Sequence, residues 1–174
     1  EDVETWKAEV ERIDKGCVNG EAIWAAPDFN DAAWKSMKVP GLMQEQDLPG
    51  FSGLVWFRKT IDIPTGWAGK DLILNLGVID DNDFTYFNGI QIGHTEGWMA
   101  PRSYKIPKEL VKKGKAVIAV RVMDTGGTGG INGSPESISL HLSDTEAIQL
   151  AGNWKYQVSL DMREVAPMLS LIHI

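Results

Sequence analysis

A single cysteine, Cys17, stands in a chain of 174 residues, which excludes an internal disulfide and any cysteine-rich zinc cluster. No apolar run approaches the roughly 20 residues needed to cross a bilayer, and no basic amphipathic segment is present to lie on one. A membrane is therefore not an expected partner. Basic residues are outnumbered, 17 Lys and Arg against 24 Asp and Glu, for a formal charge of −7. A surface of that sign repels polyphosphate, so nucleic acid is not an expected partner either.

Catalytic signatures are equally scarce. None of Ser36, Ser52, Ser103, Ser134, Ser137 or Ser139 lies in a Gly-x-Ser-x-Gly turn, the strained elbow that exposes a nucleophilic serine. Of three histidines, His94 follows a turn, His141 sits in an alternating run and His173 belongs to the terminal apolar segment. No catalytic residue is expected in this chain. The glycine-rich stretch Gly126–Gly133 follows an apolar run without opening a helix and lacks a Gly-Lys-Ser/Thr ending, so it is not a phosphate cradle. Asp80-Asp81-Asn82-Asp83 concentrates oxygen ligands without the spacing and terminal glutamate of a helix–loop–helix calcium site. Its first expected role is to orient a loop by accepting backbone hydrogen bonds. Its second is to form a sugar-binding edge. No metal and no cofactor are expected.

What is abundant is strand. Leu54–Ile63 and Asp71–Leu76 are rich in β-branched and aromatic residues, which suits pleated, half-buried surfaces. Phe84–Gly93 places Asn88-Gly89 between two such runs, the strongest short hairpin signal because both residues accept positive φ. Ala116–Met123 is almost wholly apolar, while Ser137–Leu142 alternates; the former predicts a central buried strand, the latter a half-exposed one. A last pair is expected around Ile148–Leu150 and Trp154–Val158. Lys105–Gly114 reads as one helical turn, and Asn30 or Asp31 is placed to cap another carrying Trp34. Trp6, Val10 and Ile13 fall at helical spacing, predicting a short helix over Val3–Asp14 that Gly16 stops. Its single apolar stripe needs something to pack on, either the domain that follows or a preceding domain, with the preceding domain favoured.

Many short strands with turns between them predict an all-β, antiparallel β-sandwich of jelly-roll type with a short N-terminal helix. We divide the chain into residues 1–16, a helix of a preceding segment; 17–160, the sandwich; and 161–174, a tail of unassigned origin. Seven tryptophans are many for this length. Trp56 and Trp154, in strands, are expected inside, and Trp67 and Trp98, in loops, outside. Exposed tryptophan stacks on sugar rings, so Trp98 with Arg102 and Tyr104 forms the expected ligand edge, joined by Asp81 and Asp83.

Combined motifs carry a resemblance. Trp24-x-x-Pro27-x-Phe29-x-Asp31-x-x-Trp34, Val39-Pro40-Gly41, Gly53-x-Val55-Trp56-Phe57-Arg58-Lys59 and Leu72-x-Leu74-x-Leu76-Gly77 resemble the galactose-binding-like jelly roll of family-two glycoside hydrolases. Ile79-Asp80-Asp81-x-Asp83-x-Thr85-Tyr86-Phe87-Asn88-Gly89, Arg102-x-Tyr104-x-Ile106-Pro107, Val120-Arg121-Val122-x-Asp124 and Leu150-x-Gly152-x-Trp154-Lys155-Tyr156 look like the β-rich domain inserted in bacterial sialate O-acetylesterases. The resemblance spans about Trp24–Tyr156. It implies a periplasmic or extracellular parent in which the sandwich interrupts an SGNH-type catalytic domain, its natural partner, and shapes the rim above an acetylated sugar or sialoglycan. The serine and histidine of that chemistry would lie outside this chain. Two alternatives are the N-terminal sandwich of a family-two glycosidase such as a beta-galactosidase and a free-standing carbohydrate-binding module.

Overall fold

The computed structural model describes Glu9 and residues 12–164. The helix expected over Val3–Asp14 lies mostly outside these residues, as does the tail from Met168. Glu9 and Arg12 are helical and form an ion pair, and the chain turns at Ile13.

Among the described residues eleven strands follow: β1 (Lys35–Val39), β2 (Gly53–Ile63), β3 (Leu72–Asp80), β4 (Asn82–Phe87), β5 (Ile90–Glu96), β6 (Pro101–Ile106), β7 (Gly114–Asp124), β8 (Gly130–Asn132), β9 (Ile138–His141), β10 (Ala147–Gln149) and β11 (Gly152–Asp161). They form two antiparallel sheets, ordered β1-β11-β2-β7-β4-β5 and β10-β9-β3-β6, with β8 also paired to β3. The fold is an all-β sandwich.

The strands foreseen in the sequence are present, and the hairpin turns at Asn88-Gly89 between β4 and β5. Three strands were not foreseen: β1, β6 and the short β8. Lys105–Gly114 holds the end of β6 and a 3-10 turn over Lys108–Leu110, not an α-helical turn. The turn expected to carry Trp34 is also not helical. There the Asn30 side-chain oxygen accepts from the Ala32 N–H at 3.0 Å, and the chain then enters β1. These are short-range hydrogen bonds that satisfy the backbone without a helix.

Between the sheets lies the main core. Val55, Phe57, Ile61 and Ile63 of β2 face Leu72, Leu74 and Leu76 of β3, with Val120 and Val122 of β7 beside them. Each strand presents alternate residues to this layer, as a pleated backbone requires. Trp67, expected outside, is 6% exposed and belongs to this core, because the 3-10 turn Thr65–Trp67 folds its ring inward. Trp56 and Trp154 are fully buried.

The unbroken apolar run in β7 has a second cause. Its other face is also covered, by residues 14–34, which lie across the outer surface of the six-stranded sheet. There Trp34, Trp56, Tyr86 and Ala119 form a separate aromatic core with Trp24 and Phe29 packed on it. Arg58 fastens the covering segment: its Nε donates to Asp31 at 2.9 Å, and its terminal nitrogens donate to the carbonyls of Trp24, Ala26 and Phe29. The spaced motif Trp24 to Trp34 is thus a clamp around one buried guanidinium.

Ile13, the last apolar residue of the expected helix, packs against Leu54, Met123 and Leu160 of this sandwich. The outer face of β2 and β7 leaves an apolar site there for Ile13, while Trp6 and Val10 of the expected stripe lie outside the described residues. Asp14 is buried next to it, accepting from the Trp56 indole at 3.2 Å and from Arg121 at 3.2 Å.

Candidate functional site

Alternation along β6 turns Arg102, Tyr104 and Ile106 inward, and alternation along β4 does the same for Asp83, Thr85 and Phe87. The two strands lie in different sheets, so Asp83 meets Arg102 and Tyr104 across the interior. Arg102 Nε donates to Asp83 Oδ1 at 2.8 Å. The Tyr104 hydroxyl donates to the same carboxylate at 2.8–3.0 Å and contacts Thr95 Oγ1 at 2.7 Å. Thr85 adds a donor at 2.7 Å. Burial, with the Asp83 charge beside it, pushes the Tyr104 phenol upward.

Asp83, Arg102 and Tyr104, expected at a ligand edge, are therefore brought together inside, and their polar atoms are consumed by one another. Asp81 and Trp98 are elsewhere. Trp98 is 58% exposed in the β5–β6 connection. The carboxylate of Asp81 accepts from Thr125 through both N–H and Oγ1, each at 2.8 Å, fixing the start of the glycine-rich loop.

Three carboxyls gather at that loop. Partial burial pushes Asp80 up to about 7, aided by its hydrogen bond to Asp81 and the charges of Asp81 and Asp124. For Asp81, partial burial acts upward but is outweighed by hydrogen bonds from Asp80 and Thr125, which hold it below its ordinary value. Burial raises Asp124 against the donors Gly126 and Gln44. Gln44 bridges the ends of the loop, donating to Asp124 at 2.6 Å and accepting from Gly129 N–H at 2.8 Å. Among the described residues, no group of three or more His, Cys, Asp or Glu is arranged to hold a metal. Hydrogen bonds from Thr125 to Asp81 and from Gln44 to Asp124 tie the loop at its ends.

A groove that the sequence did not reveal runs between residues 20–30 and the β4–β5 turn. It measures about 820 Å³ and is lined by Ile23, Asp28, Phe29, Tyr86, Asn88 and Gln91, among others. Carboxylate and amide side chains, Asp28, Asn88 and Gln91, stand among its apolar lining residues. The signal was hidden because the two walls are some sixty residues apart and join only when residues 14–34 fold over the sheet.

No family model matches the chain. Among solved structures it is similar to Bacteroides uniformis beta-glucuronidase 2 covalently bound to cyclophellitol-6-carboxylate aziridine. There the TM-score is 0.55 and identity 21%, over 76% of this chain and 15% of the other. A glycosyl hydrolase family 2 member from Bacteroides cellulosilyticus gives 0.55 and 23%, over 66% and 17%. A beta-glucuronidase from glycoside hydrolase family 2 gives 0.52 and 23%, over 59% and 12%. What is shared is the fold. The chain spans between 12% and 17% of the length of these three proteins.

Proposed function

We propose that this chain is a non-catalytic β-sandwich module of a larger carbohydrate-processing hydrolase, secreted or periplasmic, whose reacting groups lie on a separate catalytic domain. One observation carries the reading. The charged side chains that the sequence offered at a sugar-binding edge, Asp83 and Arg102, are paired with each other between the two sheets, which is the work of a scaffold. The likeness of fold to pieces of family-two enzymes supports the same reading. Sugar contact, where it occurs, is assigned to the groove beside Tyr86 and Gln91.

Two parents are favoured by different observations. The solved structures of similar fold favour a family-two glycosidase, which would use two carboxylates on its own catalytic domain. The motif combination from Ile79 to Tyr156 favours a sialate O-acetylesterase with an SGNH-type partner domain, where an acyl-serine forms outside this chain. Assaying the intact polypeptide on aryl glycosides and on acetylated sialic acids separates them. The isolated chain is expected to turn over neither; turnover by it would overturn the module reading. Calorimetric titration with neutral and acidic sugars tests the groove, with Gln91→Ala and Asp28→Ala weakening any saturable binding that is seen.

A further inference from the structure

The dipeptide Asn-Gly occurs three times in the chain, at Asn19-Gly20, Asn88-Gly89 and Asn132-Gly133, and the fold treats the three differently. A glycine nitrogen is the least hindered backbone nucleophile that the preceding carboxamide can meet, because no Cβ stands beside it. Whether it reaches the side-chain carbon depends on what holds the two residues.

Asn88 is held on several sides. Its Oδ1 accepts from the Val117 N–H at 2.8 Å, and its own N–H donates to the Val117 carbonyl at 2.9 Å. Its turn joins two paired strands, and Gly89 lies beside Pro27 and Ala26 of the covering segment. Asn132 belongs to the ladder of β8 with β3, and the space beside Gly133 is taken by Ser137 Oγ and the backbone of Gly77. Asn19-Gly20 has neither restraint. Both residues are exposed, at φ +51° and +81°, and the space where a Gly20 Cβ would stand is open. A single residue pair, Val18 and Glu21, closes this turn with two backbone hydrogen bonds of 2.9 Å. Those bonds use neither the Gly20 N–H nor the Asn19 carboxamide. No strand extends the pair, so the turn opens locally without disturbing either sheet.

We propose that Asn19-Gly20 is a self-modifying site, at which the asparagine converts to aspartate and isoaspartate in the folded protein while the other two pairs persist. The Gly20 nitrogen attacks Asn19 Cγ, and the new C–N bond forms as the carboxamide nitrogen departs with the amide proton as ammonia. The cyclic imide then takes up one water and opens at either carbonyl, so the conversion consumes only water. Both products place a carboxylate where Asn19 stood, in a groove of about 510 Å³ that Arg12 and Arg121 also line. Isoaspartate also inserts a carbon into the backbone, which a turn closed by one residue pair cannot absorb with both bonds intact. Gly20 lines the larger groove as well, so one turn alters the walls of both.

Peptide mapping by mass spectrometry tests this in the chain held at mildly alkaline pH, once folded and once in urea. In urea the three pairs are expected to convert at similar rates, since only local sequence then acts. In the folded chain Asn19 is expected to stay within about threefold of its urea rate, and Asn88 and Asn132 to fall at least about tenfold below theirs, the contrast between an open turn and protected ones. Slowing of Asn19 to the level of the other two overturns the proposal, and so does fastest conversion at Asn88 or Asn132. Asn19→Gln, whose longer side chain closes to an imide poorly, is expected to remove most of the acidic product that builds up in the folded parent chain. The unfolding midpoint is expected to stay unchanged. Undiminished acidic product in that variant places the modification elsewhere and overturns the proposal as well.

Discussion

Arg102 of β6 and Asp83 of β4 belong to opposite sheets and meet at 2.8 Å with neither side chain exposed. An ion pair so placed binds the two layers at one end of the sandwich. Removing either partner leaves a charge in a medium that cannot solvate it, whereas removing both leaves only neutral groups, the Tyr104 and Thr85 hydroxyls and the carbonyls that Arg102 served, to find other partners. Asp83→Ala or Arg102→Ala is therefore expected to destabilise by about 3–5 kcal/mol. Asp83→Leu combined with Arg102→Met is expected to lose less than either single change. Urea unfolding checks both; additive losses would show that the pair is not coupled.

Gly16 lies against the indole of Trp56, and a Cβ there would sit 2.4 Å from Trp56 Nε1. The ring is itself fixed by Asp14, so it has little freedom to retreat. Gly16→Ala is expected to destabilise by about 1–3 kcal/mol through overpacking. Limited proteolysis should then cut residues 12–34 first, since these are what the ring holds down. Unchanged protease resistance would contradict this account of the covering segment.

Asp80 links stability to pH. Its folded value is raised from 3.8 to about 7, so between those values the folded state binds more proton than the unfolded state. Stability from this group falls as pH rises through that window and is level above it. Asp80→Asn removes the fall and keeps a donor for Asp81. The variant is expected to gain on the parent protein between pH 5 and pH 8 by about 1–2 kcal/mol, discounted for partial solvent screening. Denaturant midpoints at the two pH values measure it. A constant difference would refute the coupling.

Asn88 adopts φ +47° at the β4–β5 turn, and its side-chain oxygen accepts from the Val117 N–H at 2.8 Å. Glycine keeps the backbone freedom and loses the acceptor; alanine loses both. Stability should fall in the order Asn, Gly, Ala, with Asn88→Ala lower than the parent by about 1–2 kcal/mol. Equal stability of the Gly and Ala variants would show that the turn does not require positive φ.

Much of the architecture was legible because it rests on local signals. The Asn88-Gly89 turn, the apolar run of β7 and the aromatic and β-branched run of β2 each specify strand or turn within a few residues. The strands β1 and β6 were missed for the same reason. Lys35–Val39 is short and half polar, and the inward side chains of β6 include Arg102, which reads as a surface residue until Asp83 is placed opposite it.

The candidate site was less legible. Asp83, Arg102 and Tyr104 are chemically apt for sugar, and composition cannot say that one side of each strand closes on the other sheet. Trp67 and Trp98 both stand in glycine-bearing connections, yet one is core and the other solvent. Local pattern determined that this chain is an antiparallel β-sandwich, since pleat, turn conformation and apolar alternation act over a few bonds. Tertiary packing alone decided which polar groups face inward, where the groove opens and which tryptophan is left in water, because burial depends on what the opposing sheet and the covering segment bring to the same place.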